Sequence, residues 1–180
     1  MTLLSRLLRP LAILPLCAVL AAAPAQARDL KLEDFFEGKT YAYGSFAAIT
    51  GLRRSFRVDL TGKVRGPELT LREDFIYDDG ERDTKTWIFT RTGPGTYTGT
   101  REDVLGQTTV RVSGNTARFS YRVDLDPSGK SNVVRFFDKL VLEDDGTLRN
   151  TALVTKFALP VARVRVNFAR TRAGAEAIRP

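Results

Sequence analysis

Histidine is absent from all 180 residues, and the single cysteine and single methionine stand at positions 17 and 1. Beyond residue 27 there is thus neither imidazole nor thiol. That excludes Ser-His-Asp and Cys-His nucleophile systems, thiolate or imidazole zinc sites and histidine-ligated haem. It also excludes an internal disulfide, so stability has to come from packing and sheet hydrogen bonds. No long apolar run occurs outside the first residues, no basic block with interleaved aromatics marks a nucleic-acid face, and a helical period is nearly missing.

The N-terminal stretch "MTLLSRLLRPLAILPLCAVLAAAPAQARDL" combines Arg6 and Arg9, an apolar run from Leu11 to Ala23 and the small-residue ending Ala25-Gln26-Ala27. The run is short of the ~20 residues that span a bilayer, and Pro10, Pro15 and Pro24 interrupt or bound it. It reads as a secretory signal peptide over 1–27, cut after Ala27, which places the remaining protein in the periplasm or outside the cell. A lipid anchor at Cys17 fits less well, because Leu16 is bulky and the cysteine comes too early for a normal apolar core. Removing 27 of 180 residues leaves 153, enough for one domain with a substantial core. The net charge of +7 falls to +5 without Arg6 and Arg9. That balance suits a soluble charged surface and permits peripheral contact with an anionic membrane surface; it does not suggest nucleic acid.

From Thr40 onward apolar residues alternate. "SFRVDLTG" places Phe56, Val58 and Leu60 on one face and ends in a Thr61-Gly62 turn. "ELTLREDFIY" places Leu69, Leu71, Phe75 and Tyr77 together, and "TARFSYRVDL" does the same for Phe119, Tyr121, Val123 and Leu125. "VVRFFDKLVL" aligns Val134, Phe136, Leu140 and Leu142, "RNTALVTKF" aligns Leu153 and Phe157, and "VARVRVNFAR" aligns Val164, Val166 and Phe168. Turn signals recur at "TGK", "DDGE", "TGPG", "VLGQ", "SGN", "DPSG", "EDDG" and "ALP"; a short helical turn fits "KLEDFFEG". Short connections favour antiparallel neighbours, and closure buries the apolar faces while removing the edges. The expected fold is all-β: an antiparallel up-and-down barrel of about 8 to 10 strands over residues 28–170, with a sandwich as the alternative. Residues 171–180 lose the alternation and read as a flexible tail. A closed barrel of this kind is expected as a monomer.

Carboxylates are the chemistry that remains. Asp78, Asp79 and Glu81 bracket Gly80, and Asp-Gly is a hairpin signal because a type I′ turn needs positive φ at both central residues. These three read as a hydrated turn, which would not raise a carboxylate's pKa as a general acid requires. Calcium binding lacks the ordered oxygen ligands of a twelve-residue loop, and no metal or cofactor is expected. Glu73 differs, because it shares the phase of Leu69, Leu71, Phe75 and Tyr77, and Asp138 repeats the anomaly between Phe136 and Leu140. An inward carboxylate is costly unless it is paired or hydrated. Either each meets an inward Arg or Lys, or a bulge turns it outward, or the two line a ligand cavity and orient a polar headgroup. Tyr77, Trp87 and Tyr121 are candidates for the same cavity wall. As plain core, Trp87 would instead pack across the barrel floor.

"FFEGKTYAYG", "EDFIYDDGE" followed by Trp87, "YTGTREDVLGQ", "GNTARFSY" and "VTKF" together resemble the bacterial domain-of-unknown-function family 3833, over about residues 30–170. The resemblance implies a lipocalin-like barrel in a secreted or lipid-anchored protein, and little about activity. The chain departs from the family's pattern at Lys85, in the "KLVL" after Asp138 and at Asn150-Thr151, so no lumen role is carried over to Lys139, Val141 or Thr151. The leading expectation is a non-enzymatic barrel that binds a small apolar or amphipathic ligand, such as a lipid or fatty acyl chain, at Glu73, Tyr77, Trp87, Tyr121 and Asp138. The alternatives are an enzyme using Glu73 or Asp138 for proton transfer, and a filled barrel serving as an envelope interaction module.

Overall fold

A computed structural model describes residues 28–126 and 129–180; residues 1–27, read above as a signal peptide, lie outside the described residues. Ten strands form the sheet: β1 (Gly38–Ala48), β2 (Arg53–Arg65), β3 (Glu68–Tyr77), β4 (Arg82–Gly93), β5 (Thr96–Thr100), β6 (Thr108–Ser113), β7 (Thr116–Asp124), β8 (Val133–Leu142), β9 (Leu148–Lys156) and β10 (Leu159–Ala169). Each strand pairs antiparallel with its sequence neighbour, and β1 pairs with β10. The meander is thus a closed lipocalin-like barrel, not a sandwich. Closure satisfies every strand's hydrogen-bonding edge without a covering helix.

One end of the barrel is plugged. Helix α1 (Leu32–Phe36) buries Leu32, Phe35 and Phe36 beneath the sheet, and the Phe36 ring meets Phe168 edge-on at 5.6 Å. Tyr97 donates to Glu33 at 2.6 Å and Arg91 pairs with the same carboxylate at 3.2 Å, fixing the plug to β4 and β5. The plug explains a misread turn. Thr61-Gly62 does not end β2, which continues to Arg65, and the chain reverses at Gly66-Pro67 instead. A side chain at position 62 would collide with the Phe36 carbonyl, so this glycine is there for close approach within a strand.

Two more expectations shift. In β9 the inward residues are Leu148, Asn150, Ala152 and Val154, not Leu153 and Phe157. Leu142, Leu140, Asp138 and Phe136 of β8 stand opposite those four, and side chains directly across a ladder share a face. Leu153 therefore pairs with outward Phe137. Phe157 and Ala158 form the β9–β10 hairpin turn with φ of 50° and 65°, a left-handed pair that costs roughly 1 kcal/mol or more per non-glycine residue. Residues 171–180 are not a loose tail. Helix α2 (Arg172–Ala177) starts at Thr171, whose hydroxyl accepts from the Gly174 amide at 3.1 Å; it buries Ala175 completely and reaches β2 through Arg172–Asp59 at 2.9 Å. Loss of a period of two marked the end of the sheet, and a six-residue helix has too few turns to show a period of its own.

Candidate functional site

The acidic hairpin between β3 and β4 is a turn, and its chemistry is spent locally. Arg54 holds Asp79 and Glu81 at 2.7 Å each, and Asp78 accepts from the Ser55 amide at 3.0 Å. The geometry departs from type I′: only Gly80 has positive φ, 88°, and its amide donates to the Tyr77 carbonyl at 3.1 Å. That is a type I turn followed by a left-handed glycine, the next most common hairpin connection.

The barrel interior holds a cavity of about 650 Å³ running from the α1 plug to the opposite end, within the range of small-molecule sites. Side chains do not fill it, so the filled-barrel alternative loses its premise. Glu73, Tyr77, Trp87, Tyr121 and Asp138 all line it. Leu32 and Phe36 make the floor, and Trp87 stands on the β4 wall instead, stacked on Phe89 at 5.0 Å and edge-on to Tyr121 at 5.1 Å. Tyr121 in turn stacks on Phe136 at 5.2 Å. Tyr77 lies nearer the unplugged end, under the Arg54 guanidinium at 3.9 Å.

Arg101, which the sequence reading left unassigned, organises the polar part of this wall. The segment after β5 folds inward because Val104 bridges to Val123 and the Leu105 amide donates to the Arg122 carbonyl at 2.9 Å. Arg101 then continues the inward phase of Tyr97 and Gly99. Its guanidinium is bonded to Asp103 at 2.6 and 3.2 Å, lies 4.8 Å from the Trp87 ring centre and approaches Glu73 at 4.0 Å. Lys85, the residue opposite Glu73 across the ladder, reaches Asp103 at 3.5 Å. Glu73 thus has its inward arginine, though at a distance that permits attraction without a hydrogen bond.

Asp138 is met differently. Asn150, on the adjacent strand, donates to one carboxylate oxygen at 2.6 Å. The other Asp138 oxygen and the Asn150 amide oxygen are buried with no partner among the described residues. Two orphan acceptors on a cavity wall match a donor brought by a ligand. Burial pushes Glu73 up to about 7, with Arg101 opposing and Asp138 reinforcing the rise. Burial likewise pushes Asp138 up to about 6, against the hydrogen bond from Asn150, the charge of Arg101 and the nearby Tyr121 hydroxyl. Tyr121 is raised well above its ordinary value by burial and by Asp138, so it stays a neutral phenol. Near neutral pH Arg101 is therefore a fixed cation in the lumen beside two carboxyls that can gain or lose a proton.

A sequence profile described as protein of unknown function, DUF3833, matches residues 14–170. No curated protein matches the chain in sequence. Among solved structures, the barrel is similar to an S-type phycobiliprotein lyase from Guillardia theta, at TM-score 0.58 and 9% identity over 79% of this chain and 94% of that one. It is also similar to Rv2717c from M. tuberculosis, at TM-score 0.56 and 15% identity over 84% of this chain and 100% of that one. At such identities the likeness concerns the fold.

Proposed function

This chain belongs to the DUF3833 family, whose description names no activity, and from the chemistry of its lumen we propose that it is an exported binding protein that takes one small amphipathic molecule, such as a lipid or fatty acyl chain, into the barrel. The observation that carries this reading is the 650 Å³ cavity itself, apolar and rich in aromatics along most of its wall, with a buried polar cluster around Arg101 and Asp138. The apolar part of the ligand lies against Phe75, Trp87, Phe119 and Phe136. Each methylene so buried contributes about 0.8 kcal/mol, so chain length sets the affinity. Its polar end sits at the cluster, donating to Asp138 and Asn150 and accepting from Arg101. A hydroxyl or a protonated carboxyl does both.

Uptake of a fluorescent fatty-acid analogue by delipidated protein tests the proposal. Trp87 is the only tryptophan of the chain and lines the cavity, so energy transfer from it reports occupancy. Saturable transfer at one probe per chain is expected; absence of uptake across lipophilic probes contradicts the reading. A second reading, proton transfer on a lipid-like substrate, is favoured by one observation, the two raised carboxyls facing the same cavity. It requires that a folded Glu73→Gln variant lose turnover of a substrate that the wild type converts.

A further inference from the structure

Exposed apolar residues crowd one end of the molecule. Ile49 and Leu52 in the β1–β2 turn, Leu125 after β7, and Phe157 and Leu159 at the β9–β10 turn are 76%, 55%, 57%, 89% and 67% exposed. All five lie at the end opposite the α1 plug, and their turns are neighbours. The Ile49 amide donates to the Val161 carbonyl at 2.9 Å, joining the first turn to the last, and Lys156 donates to Asn132 at 2.7 Å, joining the last to the β7–β8 loop. Leu52 and Leu125 also line the mouth of the cavity.

Charge on the rim is divided in the same way. Arg53, Lys130 and Lys156 stand on the apolar arc, with Arg135 and Arg163 just below it, and among the described residues none of them is in an ion pair. The acids of this arc are Asp124 and Asp126, and Asp124 is engaged by Ser131 and by the amides of Asn132 and Asp126. The acidic hairpin of Asp78, Asp79, Glu81 and Asp83 lies at the β3–β4 turn, next to the β1–β2 end of the arc, where Arg54 pairs with Asp79 and Glu81.

We propose that this arc is a membrane-docking rim: the tips carrying Ile49, Phe157 and Leu159 enter the interfacial zone of a bilayer, and the surrounding cations meet its anionic headgroups, bringing the cavity mouth to the lipid. Two observations favour a lipid surface over a protein. The five apolar residues project from three separate turns and not from one flat face, whereas a stable protein interface needs ~800 Å² per partner. A fluid interface accepts such tips without shape complementarity, and its affinity grows with inserted apolar area plus basic charge. The most exposed of them, Phe157, occupies a left-handed turn position that asparagine or glycine would fill with less strain, so an aromatic there is held against local backbone preference. The docking surface does not depend on what occupies the lumen.

The test is vesicle flotation with protein purified from the envelope of cells expressing the full chain. Vesicles of phosphatidylglycerol and phosphatidylethanolamine are compared with vesicles of phosphatidylcholine alone. The wild type is expected to float with the anionic vesicles, less so as salt is raised, and weakly with the neutral ones. Phe157→Asn combined with Ile49→Ser is expected to weaken binding about tenfold or more. Its melting temperature should not fall, because Asn suits the turn and both sites are exposed, and its uptake of a fluorescent fatty-acid analogue without vesicles should be unchanged. Absence of flotation by the wild type, equal binding by the variant, or equal binding to neutral vesicles overturns the proposal. So does a wild-type dimer that the double substitution dissociates, since the rim would then serve a second copy of the chain. Failure of analogue uptake with flotation intact counts against the ligand-binding proposal alone.

Discussion

Arg101 is the residue on which the lumen's chemistry turns. Its guanidinium touches Asp103, faces Glu73 and lies over Trp87, so removing it leaves several buried groups without their counter-charge. Arg101→Met is expected to cost about 3 kcal/mol or more in urea denaturation and to weaken uptake of a carboxylate-headed probe more than that of a matching alcohol. Glu73 makes a prediction of opposite sign. Its pKa rises from 4.5 to about 7 on folding, so the folded chain binds this proton more tightly than the unfolded chain. The contribution is complete below pH 4.5 and is lost as pH rises through 7. Glu73→Gln should therefore stabilise the protein at pH 8, by on the order of 3 kcal/mol, with the advantage vanishing near pH 4. Thermal melts of both forms across that range check it, and an unchanged difference with pH would count against a buried, singly attracted carboxyl. At this scale the alternation gave Glu73 and Asp138 the inward phase and made Tyr77, Trp87 and Tyr121 candidates for the cavity wall, and all five line the cavity. It missed Arg101 and Asn150. Arg101 stands between a five-residue strand and the "VLGQ" turn signal, too short a stretch to display an alternation, although its phase continues Tyr97 and Gly99. Asn150 was hidden by choosing the phase of Leu153, the larger apolar residue.

Strand phase was readable wherever inward residues were large and outward ones charged, as in β2, β3, β7, β8 and β10. It failed in β9, where asparagine and alanine point in and leucine points out, and only the ladder with β8 decides. Gly62 shows the same limit: a glycine that looks like a turn is required by a helix closing over the strand, a contact invisible in local sequence. Gly62→Ala should force the Phe36 carbonyl away and lower stability by about 1–3 kcal/mol, with loosening of α1 visible as faster amide exchange at residues 32–36. At the β9–β10 turn, Ala158→Gly should raise stability by roughly 0.5–1 kcal/mol by relieving a positive φ of 65°, less whatever glycine adds to the disorder of the unfolded chain. A lower melting temperature for that variant would mean the turn is not strained.

For the molecule as a whole, ten strands closing on themselves enclose more space than eight, which can be just filled by side chains. The aromatic wall, the plugged floor and the rim of exposed apolar tips all concern one passage from surface to lumen. The central claim is that this passage holds a small amphipathic molecule, and native mass spectrometry of protein purified from its source cells tests it most directly. One adduct of a small molecule per chain, released on denaturation and restored by adding it back to delipidated protein, is the result expected. A bare chain mass under native conditions, together with no uptake of lipophilic molecules afterwards, would contradict it.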